Sequence, residues 1–360
     1  MNKVTEIWMD KQDIRKTRIV EAPRRPLKPG QVRVAIEKFA ITSNNVSYAV
    51  TGDVIGYWRF FPAEDGWGKV TVWGFGEVIE STSDAIAIGE RLYGFFPMAS
   101  ETVLTVGSVK DDYFMDASLH RAELAAVYNQ YRRLAGEIES MRSLGDVRAL
   151  YFPLFITSFV LYDYLKDNDF FGAEQVIIGS VSSKTGFGLA KLLFDDASVT
   201  QRIVGLTSPG NAAFVQSLGC CDDVVLYGNE QTIDPSVKAA YVDMSGNRDL
   251  TETLHHHLQE NLVESCMVGA THWENGGRAD GLPGAKPTFF FAPSQIAKRD
   301  KEWGPGVLYG KASEACADLA RSVSGDIAVE HKTGPEAVTA IWLEMLDNKV
   351  APDRGIMASL

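Results

Sequence analysis

Hydrophobic and polar positions fall into two regimes along the chain. Over the first hundred residues the apolar positions form short runs rich in β-branched and aromatic side chains: Glu6 to Trp8, Thr17 to Glu21, Gln31 to Phe39 and Val70 to Glu80. Pro29-Gly30, Gly52, Gly66, Gly68, Gly89 and Gly94 punctuate them. Short strands with frequent turn signals predict a small barrel or sandwich. From Leu119 to Leu144 the spacing turns helical, with Leu124, Val127, Tyr131 and Leu134 on one face. Pro153 suits the first turn of a further helix reaching about Asp167. Strands and helices then alternate. The strands are Glu174 to Ile178, Arg202 to Leu206, Asp223 to Tyr227, Ala239 to Met244, Leu262 to Val268 and Thr288 to Ala292. A helix is expected from Lys184 to Phe194, and Ser208 is expected to cap another with Pro209 at its first position. Strands separated by helices imply βαβ units and a doubly wound parallel sheet. Two helical patches, Ala312 to Ser322 and Pro335 to Asn348, and a strand from Gly355 to Ser359 complete the tail.

The 360 residues are ample for two domains. A net charge of -12 argues against a general nucleic-acid surface. The longest apolar stretches, such as Tyr151 to Leu165, are too short to span a bilayer, and the start has no apolar run resembling a leader. Cys220, Cys221, Cys266 and Cys316 show no pairing pattern. A cytoplasmic protein with free thiols and no membrane partner is expected.

The stretch Glu174 to Leu193, EQVIIGSVSSKTGFGLAKLL, carries the chemistry. A buried strand runs through Gly179 and Ser180 into small and hydroxylic residues, then to Gly186 on a helix. A pyrophosphate needs backbone amides at a helix N-terminus, where unpaired N–H groups and the dipole favour anions. Ser182, Ser183 and Thr185 add hydroxyl donors, and Gly186 permits close packing of helix on sheet. The middle glycine of the usual fingerprint is missing. Two other readings stand beside this one. Gly179-x4-Lys184-Thr185 is one residue short of a P-loop and lacks the glycine before the lysine, and a strand-turn-helix of this kind also occurs without a ligand. The second strand ends Val204-Gly205-Leu206-Thr207-Ser208, with no carboxylate to hold a ribose diol. Thr207 and Ser208 can donate to a 2′-phosphate, which favours NADPH over NADH. No arginine follows; Lys184 or Lys191 is left to supply the charge.

Several elements occur in a telling order. They are Pro29-Gly30-Gln31-Val32-Arg33-Val34; FAITSNNVSYAVTG over Phe39 to Gly52; Gly76-Glu77-Val78-Ile79; Ile88-Gly89-Glu90-Arg91-Leu92-Tyr93-Gly94; and QSLGCCDDVVLY over Gln216 to Tyr227. Collinear across nearly the whole chain, they resemble the medium-chain dehydrogenase/reductase superfamily in its zinc-free, quinone-oxidoreductase-like branch. Within it the chain is similar to an uncharacterised group known only as a domain of unknown function. The resemblance implies a GroES-like β-rich substrate domain over 1–145, an NADPH-binding Rossmann domain over 146–293, and a return to the substrate domain over 294–360. It implies an NADP(H)-dependent oxidoreductase that passes hydride to a carbonyl, enone or quinone, with the cofactor across the interdomain cleft. The alternative is an NADPH-binding sensor or structural protein with little turnover.

Gly179 through Gly186 would hold the pyrophosphate. Thr207, Ser208 and Tyr227 would hold the phosphorylated ribose, and Ser245, Gly246, Ala270 and Thr271 would flank the second ribose and the nicotinamide. No zinc ligands are expected, because the early cysteine and the G-H-E histidine of the zinc-dependent branch are absent. Developing charge on the substrate oxygen then needs hydrogen-bond donors, and Asn44, Asn45, Tyr48 and Tyr57 are the candidates. Ser182-Ser183 stand where the branch usually has two glycines.

His255-His256-His257 read as a solvated helix face, since adjacent helical residues diverge by about 100° and cannot converge on one ion. Tyr162 and Lys166 reproduce a Y-x3-K spacing but precede the nucleotide strand. His272 and Glu274 follow the fifth strand, where ligands bind. The aromatic run from Tyr57 to Phe61, with Trp67 and Trp73, suits either a pocket wall for a planar apolar substrate or core packing. Thr288 to Ala292, an apolar edge strand, is expected to join a second copy in a homodimer.

Overall fold

The structure is a computed structural model and describes residues 3–269 and 281–360. It contains two compact units: Met1–Leu150 with Ala328–Val350 and Arg354–Leu360, and Tyr151–Ile327 with Ala351–Asp353.

The first unit is β-rich. Its elements in chain order are β1 (Lys3–Asp10), β2 (Thr17–Pro23), β3 (Gln31–Ile41), α1 (Ser43–Val50), β4 (Trp67–Gly68), β5 (Thr71–Ser81), β6 (Arg91–Pro97), β7 (Glu101–Val109), β8 (Tyr113–Asp116), β9 (Gln130–Arg133) and α2 (Glu139–Arg142). The strand β3 pairs antiparallel with β5 and also with β7. The sheet therefore runs β3-β5-β6-β9-β8-β7 and back to β3, a closed barrel. Closure removes both edges of this run. Alternation along β3 explains its place: Val32, Val34 and Ile36 are buried against the interior.

Helical spacing over Leu119 to Leu144 does not become a helix. The segment holds isolated 3-10 turns, the strand β9 and only the four-residue α2. The reason is Arg121, which is fully buried. Its guanidinium donates to the Asn129 side chain (2.6 Å) and the Tyr128 carbonyl (2.7 Å), and pairs with Asp116 (3.1 Å). Those bonds fold the chain back on itself, and Tyr131 enters the barrel core on β9, donating to the Phe95 carbonyl (2.6 Å).

The helix α3 (Asp146–Asp167) starts earlier than Pro153 suggests and carries that proline in its interior, where the missing N–H forfeits one backbone bond. Then follow β10 (Gln175–Gly179), α4 (Lys184–Asp195), β11 (Arg202–Thr207), α5 (Ala212–Leu218), β12 (Asp223–Leu226), β13 (Ala239–Asp243), α6 (Arg248–Leu258), β14 (Leu262–Met267), β15 (Thr288–Phe289), α7 (Ala292–Trp303) and α8 (Val307–Val323). All sheet pairings of this second unit are parallel, in the order β12-β11-β10-β13-β14-β15. In chain order that is 3-2-1-4-5-6, the doubly wound dinucleotide-binding topology. One face packs Val176 and Ile178 with α4 residues Leu189, Ala190 and Leu193; the other packs Ile177 and Tyr241 with Leu250, Leu254 and Leu258 of α6.

The sixth strand is shorter than expected, Thr288–Phe289 rather than Thr288 to Ala292, because Pro293 starts α7 there. The chain re-enters the first unit with β16 (Ala328–Thr333), α9 (Pro335–Leu346) and β17 (Arg354–Ser359), and β17 pairs antiparallel with the end of β3. Among the described residues no helix is long and apolar enough to cross a membrane.

Candidate functional site

The turn between β10 and α4 lies where the strand order reverses, the position at which open α/β sheets bind ligands. Its geometry is tight. Ser180 adopts φ 55°, a left-handed conformation costly for a non-glycine residue. Its carbonyl accepts from the Ser183 amide (2.9 Å), and Val181 N–H is taken by the Leu206 carbonyl (3.0 Å). Ser183 caps α4, its hydroxyl accepting from Gly186 N–H (3.1 Å). A Cβ on Gly186 would lie 2.7 Å from the Ser180 carbonyl and 2.9 Å from the Ser183 hydroxyl and the Val181 Cα. Only glycine fits there. The first turn of α4 has no acidic residue to occupy its positive end.

The surrounding residues are placed as follows. Ser182 is buried and its hydroxyl accepts from Asn211 Nδ2 (3.1 Å), which ties the turn to the loop after β11. Thr185 gives its carbonyl to Ser158 of α3 (2.8 Å). Lys184 directs its ammonium to the Pro352 carbonyl (3.2 Å). Thr207 is fully buried and its hydroxyl has no hydrogen-bond partner among the described residues. Ser208 makes no cap bond; Pro209 opens a 3-10 turn, and α5 begins only at Ala212. The Tyr227 hydroxyl stands beside Ser180, while its burial raises its pKa. Lys191 is paired with Asp195 (2.6 Å) on its own helix.

After β13, the Asp243 carboxylate accepts from Ser245 N–H (2.8 Å), the Ser245 hydroxyl (2.9 Å) and Gly246 N–H (3.0 Å), and thereby shapes the Ser245-Gly246 turn. Asp243 was not singled out from sequence; its position at the end of the fourth strand, before Ser-Gly, was the available signal. Ala270, Thr271, His272 and Glu274 lie outside the described residues.

In the first unit, Tyr48 and Tyr57 meet in a cluster with Phe60, Phe95, Trp73 and Tyr128. The Tyr48 and Tyr57 rings lie 4.5 Å apart. The Tyr48 hydroxyl accepts from Asn44 Nδ2 (2.9 Å) and from Trp73 Nε1 (3.3 Å). The hydroxyls of Tyr57 and Tyr128 are 2.8 Å apart, and Tyr128 also adjoins Tyr48. Burial pushes all three phenols well above their ordinary value, so they stay protonated. Asn45 is occupied differently. Its Oδ1 accepts from Thr42 N–H (2.6 Å) and its Nδ2 donates to the Thr71 carbonyl (2.8 Å), a helix cap buried under the strand. Tyr128 and Trp73 complete the cluster; the helical reading of their neighbourhood concealed Tyr128.

A separate pocket of about 250 Å³ in this unit is lined by Lys38, Phe75, Arg91, Met141, Arg142 and Arg148 among others. Its cations are paired with Asp146, Glu37, Glu139 and Glu137.

The histidine triplet is a solvated face only in part: His256 is exposed and His257 half-buried, but His255 turns inward. Nδ1 of His255, fully buried, bonds the Pro283 carbonyl (2.8 Å) and its Nε2 the Ser265 hydroxyl (2.9 Å). It adjoins the leucine stripe of α6 at helical spacing, so it packs inward. Tyr162 and Lys166 share Asp196 at the protein surface. Among the described residues no group of three or more His, Cys, Asp or Glu side chains is arranged to hold a metal ion, and all four cysteines are free thiols.

Comparison with known proteins agrees with the topology. A family model described as a protein of unknown function (DUF2855) matches residues 39–351. No curated protein matches. Among solved structures, CurA from Vibrio vulnificus in complex with NADPH superposes with TM-score 0.60 at 11% identity, over 95% of this chain and 94% of that one. The mutant enoyl thioester reductase from Candida tropicalis gives 0.57 at 12% identity over 100% of both chains. The yhdH oxidoreductase from Salmonella enterica in complex with NADP gives 0.54 at 12% over 99% of both. At these identities the likeness is one of fold.

Proposed function

The chain belongs to that family of unknown function, and we propose that it is an NADPH-dependent oxidoreductase that reduces a carbonyl, enone or quinone without a metal. The observation that carries the reading is the β10–α4 turn. It sits at the reversal of strand order and admits no side chain at residue 186. The fit of a dinucleotide is supported by a further feature of the chain itself: the buried, unpartnered Thr207 hydroxyl at the end of β11. The absence of a carboxylate in Thr207-Ser208 supports the phosphorylated cofactor. The three similar structures at 11–12% identity are named as oxidoreductases or reductases or hold NADP(H).

Bound NADPH would supply the hydride. In this reading the amides of the turn hold its pyrophosphate, Thr207 and Ser208 face its phosphorylated ribose, and Tyr227 braces Ser180. Ser245 and Gly246, shaped by Asp243, border the second ribose. In the first unit, Tyr48 receives two N–H donors on its oxygen, from Asn44 and Trp73, and turns its own hydrogen toward Tyr128. Those two bonds favour the phenolate against the burial that opposes it. In this reading Tyr48, kept protonated, turns that hydrogen from Tyr128 to a substrate oxygen as a hydrogen-bond donor, with Tyr57 bonded to Tyr128 behind it. The Asn45 amide serves the α1 cap instead. The metal-free reading rests on the sequence, which lacks the cysteine and histidine of the zinc-dependent pattern.

The test joins a calorimetric titration of the full chain with NADPH and NADH to NADPH oxidation over a panel of quinones, enones and aldehydes. Micromolar NADPH binding, weaker NADH binding and turnover on one class are expected. No affinity for either dinucleotide removes the proposal; tight binding without turnover on any class favours a sensor. We also propose that the exposed edge of β15, with Phe289 at its surface, pairs with a second copy. A monomer mass by light scattering excludes that pairing.

A further inference from the structure

The chain lacks the arginine that would follow β11 in a phosphate-binding site, and Lys191 is paired on its own helix. One other cation stands at the turn. Lys184 is the first residue of α4, where a positive charge meets the positive end of the helix dipole. Side chains of an α-helix tilt toward its N-terminus, so Lys184 runs back past the start of α4 rather than along its flank. Its ammonium donates to the Pro352 carbonyl (3.2 Å) and lies 5.9 Å from the centre of the Tyr151 ring. A chain that places a lysine at this end of a twelve-residue helix, with no acidic residue in the first turn, has a local excess of positive potential.

A second feature at the same turn is independent of the helix end. A Cβ on Gly205 would lie 2.8 Å from the Val181 side chain of the turn. Thr207, two residues on, shares that face of β11. Its buried hydroxyl is without a partner among the described residues. An unmade bond of this kind is costly unless a ligand completes it.

We propose that Lys184 is the cation that receives the dinucleotide's pyrophosphate, and that binding this anion draws a proton onto the protein. The inference rests on the cofactor proposed above and names the residue and the proton linkage that reading leaves open. Lys184 faces Asp353 from the segment that ends the second unit, the Pro352 carbonyl beside it, and the phenol of Tyr151 on α3. Tyr151 is itself kept protonated by burial, with Asp326 adding to the effect. Burial lowers the lysine to about 8 and outweighs the charge of Asp353, which favours the ammonium. A phosphate oxyanion added at the turn favours the ammonium further, and the pKa rises on binding. The sign follows from linkage: the complex binds more protons than the free protein above about pH 7, so affinity falls as pH climbs through 8.

The experiment is calorimetric titration of the full chain with NADPH and with NADH at pH 8, in two buffers of different ionisation enthalpy, repeated at pH 6.5. The expected result is an uptake of about half a proton per site at pH 8, and much less at pH 6.5, with both dinucleotides. NADH carries no titrating 2′-phosphate, so equal uptake with both assigns the proton to the protein. Lys184→Met is expected to weaken both dinucleotides about tenfold and to abolish the uptake. Lys184→Arg is expected to bind within about threefold of the native chain, also without uptake, because a guanidinium does not titrate in this range. That variant keeps the charge, so it separates proton linkage from any folding defect of the methionine. Native affinity in Lys184→Met, undiminished uptake in Lys184→Arg, or a loss confined to NADPH each overturns the assignment. Binding without uptake overturns this inference alone, whereas no binding of either dinucleotide by the native chain removes the proposed function with it.

Discussion

Replacing Arg121 with methionine removes the fixture that holds Tyr128 in the phenol cluster. Arg121 is fully buried, and its guanidinium pairs with Asp116 at 3.1 Å, bonds Asn129 and the Tyr128 carbonyl, and lies 4.9 Å from the rings of both Phe60 and Phe61. Methionine keeps the apolar contact with those rings and deletes every polar one. Asp116 is then a buried carboxylate without its cation. Removing one partner of a buried ion pair costs about 3–5 kcal/mol. Asp116 retains bonds from Ser118 N–H (2.9 Å), the Ser118 hydroxyl (2.7 Å) and Thr105 N–H (3.2 Å). These offset part of the loss and place the expected cost at the lower end, about 3 kcal/mol. Urea denaturation followed by near-ultraviolet circular dichroism reports on the aromatic cluster of this unit. The midpoint should fall by roughly 1–2 M at a typical slope for a domain of this size. The double variant Asp116→Asn, Arg121→Met should recover part of the loss, since the orphaned charge is gone. A single variant within about 0.5 kcal/mol of the native chain, or a double variant no better than the single, refutes the argument that this pair folds the segment 119–134 back on itself.

Thr207→Val replaces the unpartnered hydroxyl with a methyl group; the free protein should gain about 1 kcal/mol in thermal unfolding, while NADPH affinity should fall several-fold in the same titration. Trp73→Phe removes one N–H donor from the Tyr48 oxygen; the turnover number for NADPH oxidation should fall about tenfold with the NADPH dissociation constant unchanged, as expected of a residue acting through another. Glu330 on β16 is held at about 2, against an ordinary 4.5, first by Arg354 of β17 and then by Lys332. Its contribution is therefore present above about pH 4.5 and lost as pH falls toward 2. Glu330→Gln should flatten that limb of the stability curve and leave the curve's shape above pH 5 unchanged, as measured by urea midpoints across pH.

Much of the second unit was legible because its signals are local. The alternation of apolar strands with helices is written at spacings of a few residues, and the boundaries of β10, α4, β11 and β17 fall within about one residue of those read from the chain. The Gly-Ser-rich turn announces itself because a helix start after a buried strand needs small residues and a glycine at 186. The missing carboxylate after β11 is a property of composition alone. The sequence also brought Tyr48 and Tyr57 forward as candidates, and the fold places them 4.5 Å apart.

What the chain concealed depends on residues far apart in it. Leu124, Val127, Tyr131 and Leu134 have perfectly helical spacing, yet Arg121 reaches Asp116 and Asn129 and turns the segment into bends and a strand. Periodicity measures only where apolar side chains recur, and a buried ion pair that satisfies the backbone otherwise overrides it. The same limit hid His255, whose bonds to Pro283 and Ser265 draw it inside although both neighbours in sequence are polar histidine and apolar leucine. It hid Tyr128, whose ring meets that of Tyr48 from a distant turn. Closure of the barrel through β3 and β7, some seventy residues apart, is likewise a long-range pairing for which no short window holds information. The amino-acid sequence thus determined the type and order of the elements, because hydrogen-bond periodicity and turn chemistry act over a few residues. The tertiary structure alone decided which polar groups meet, because burial and charge pairing act through space.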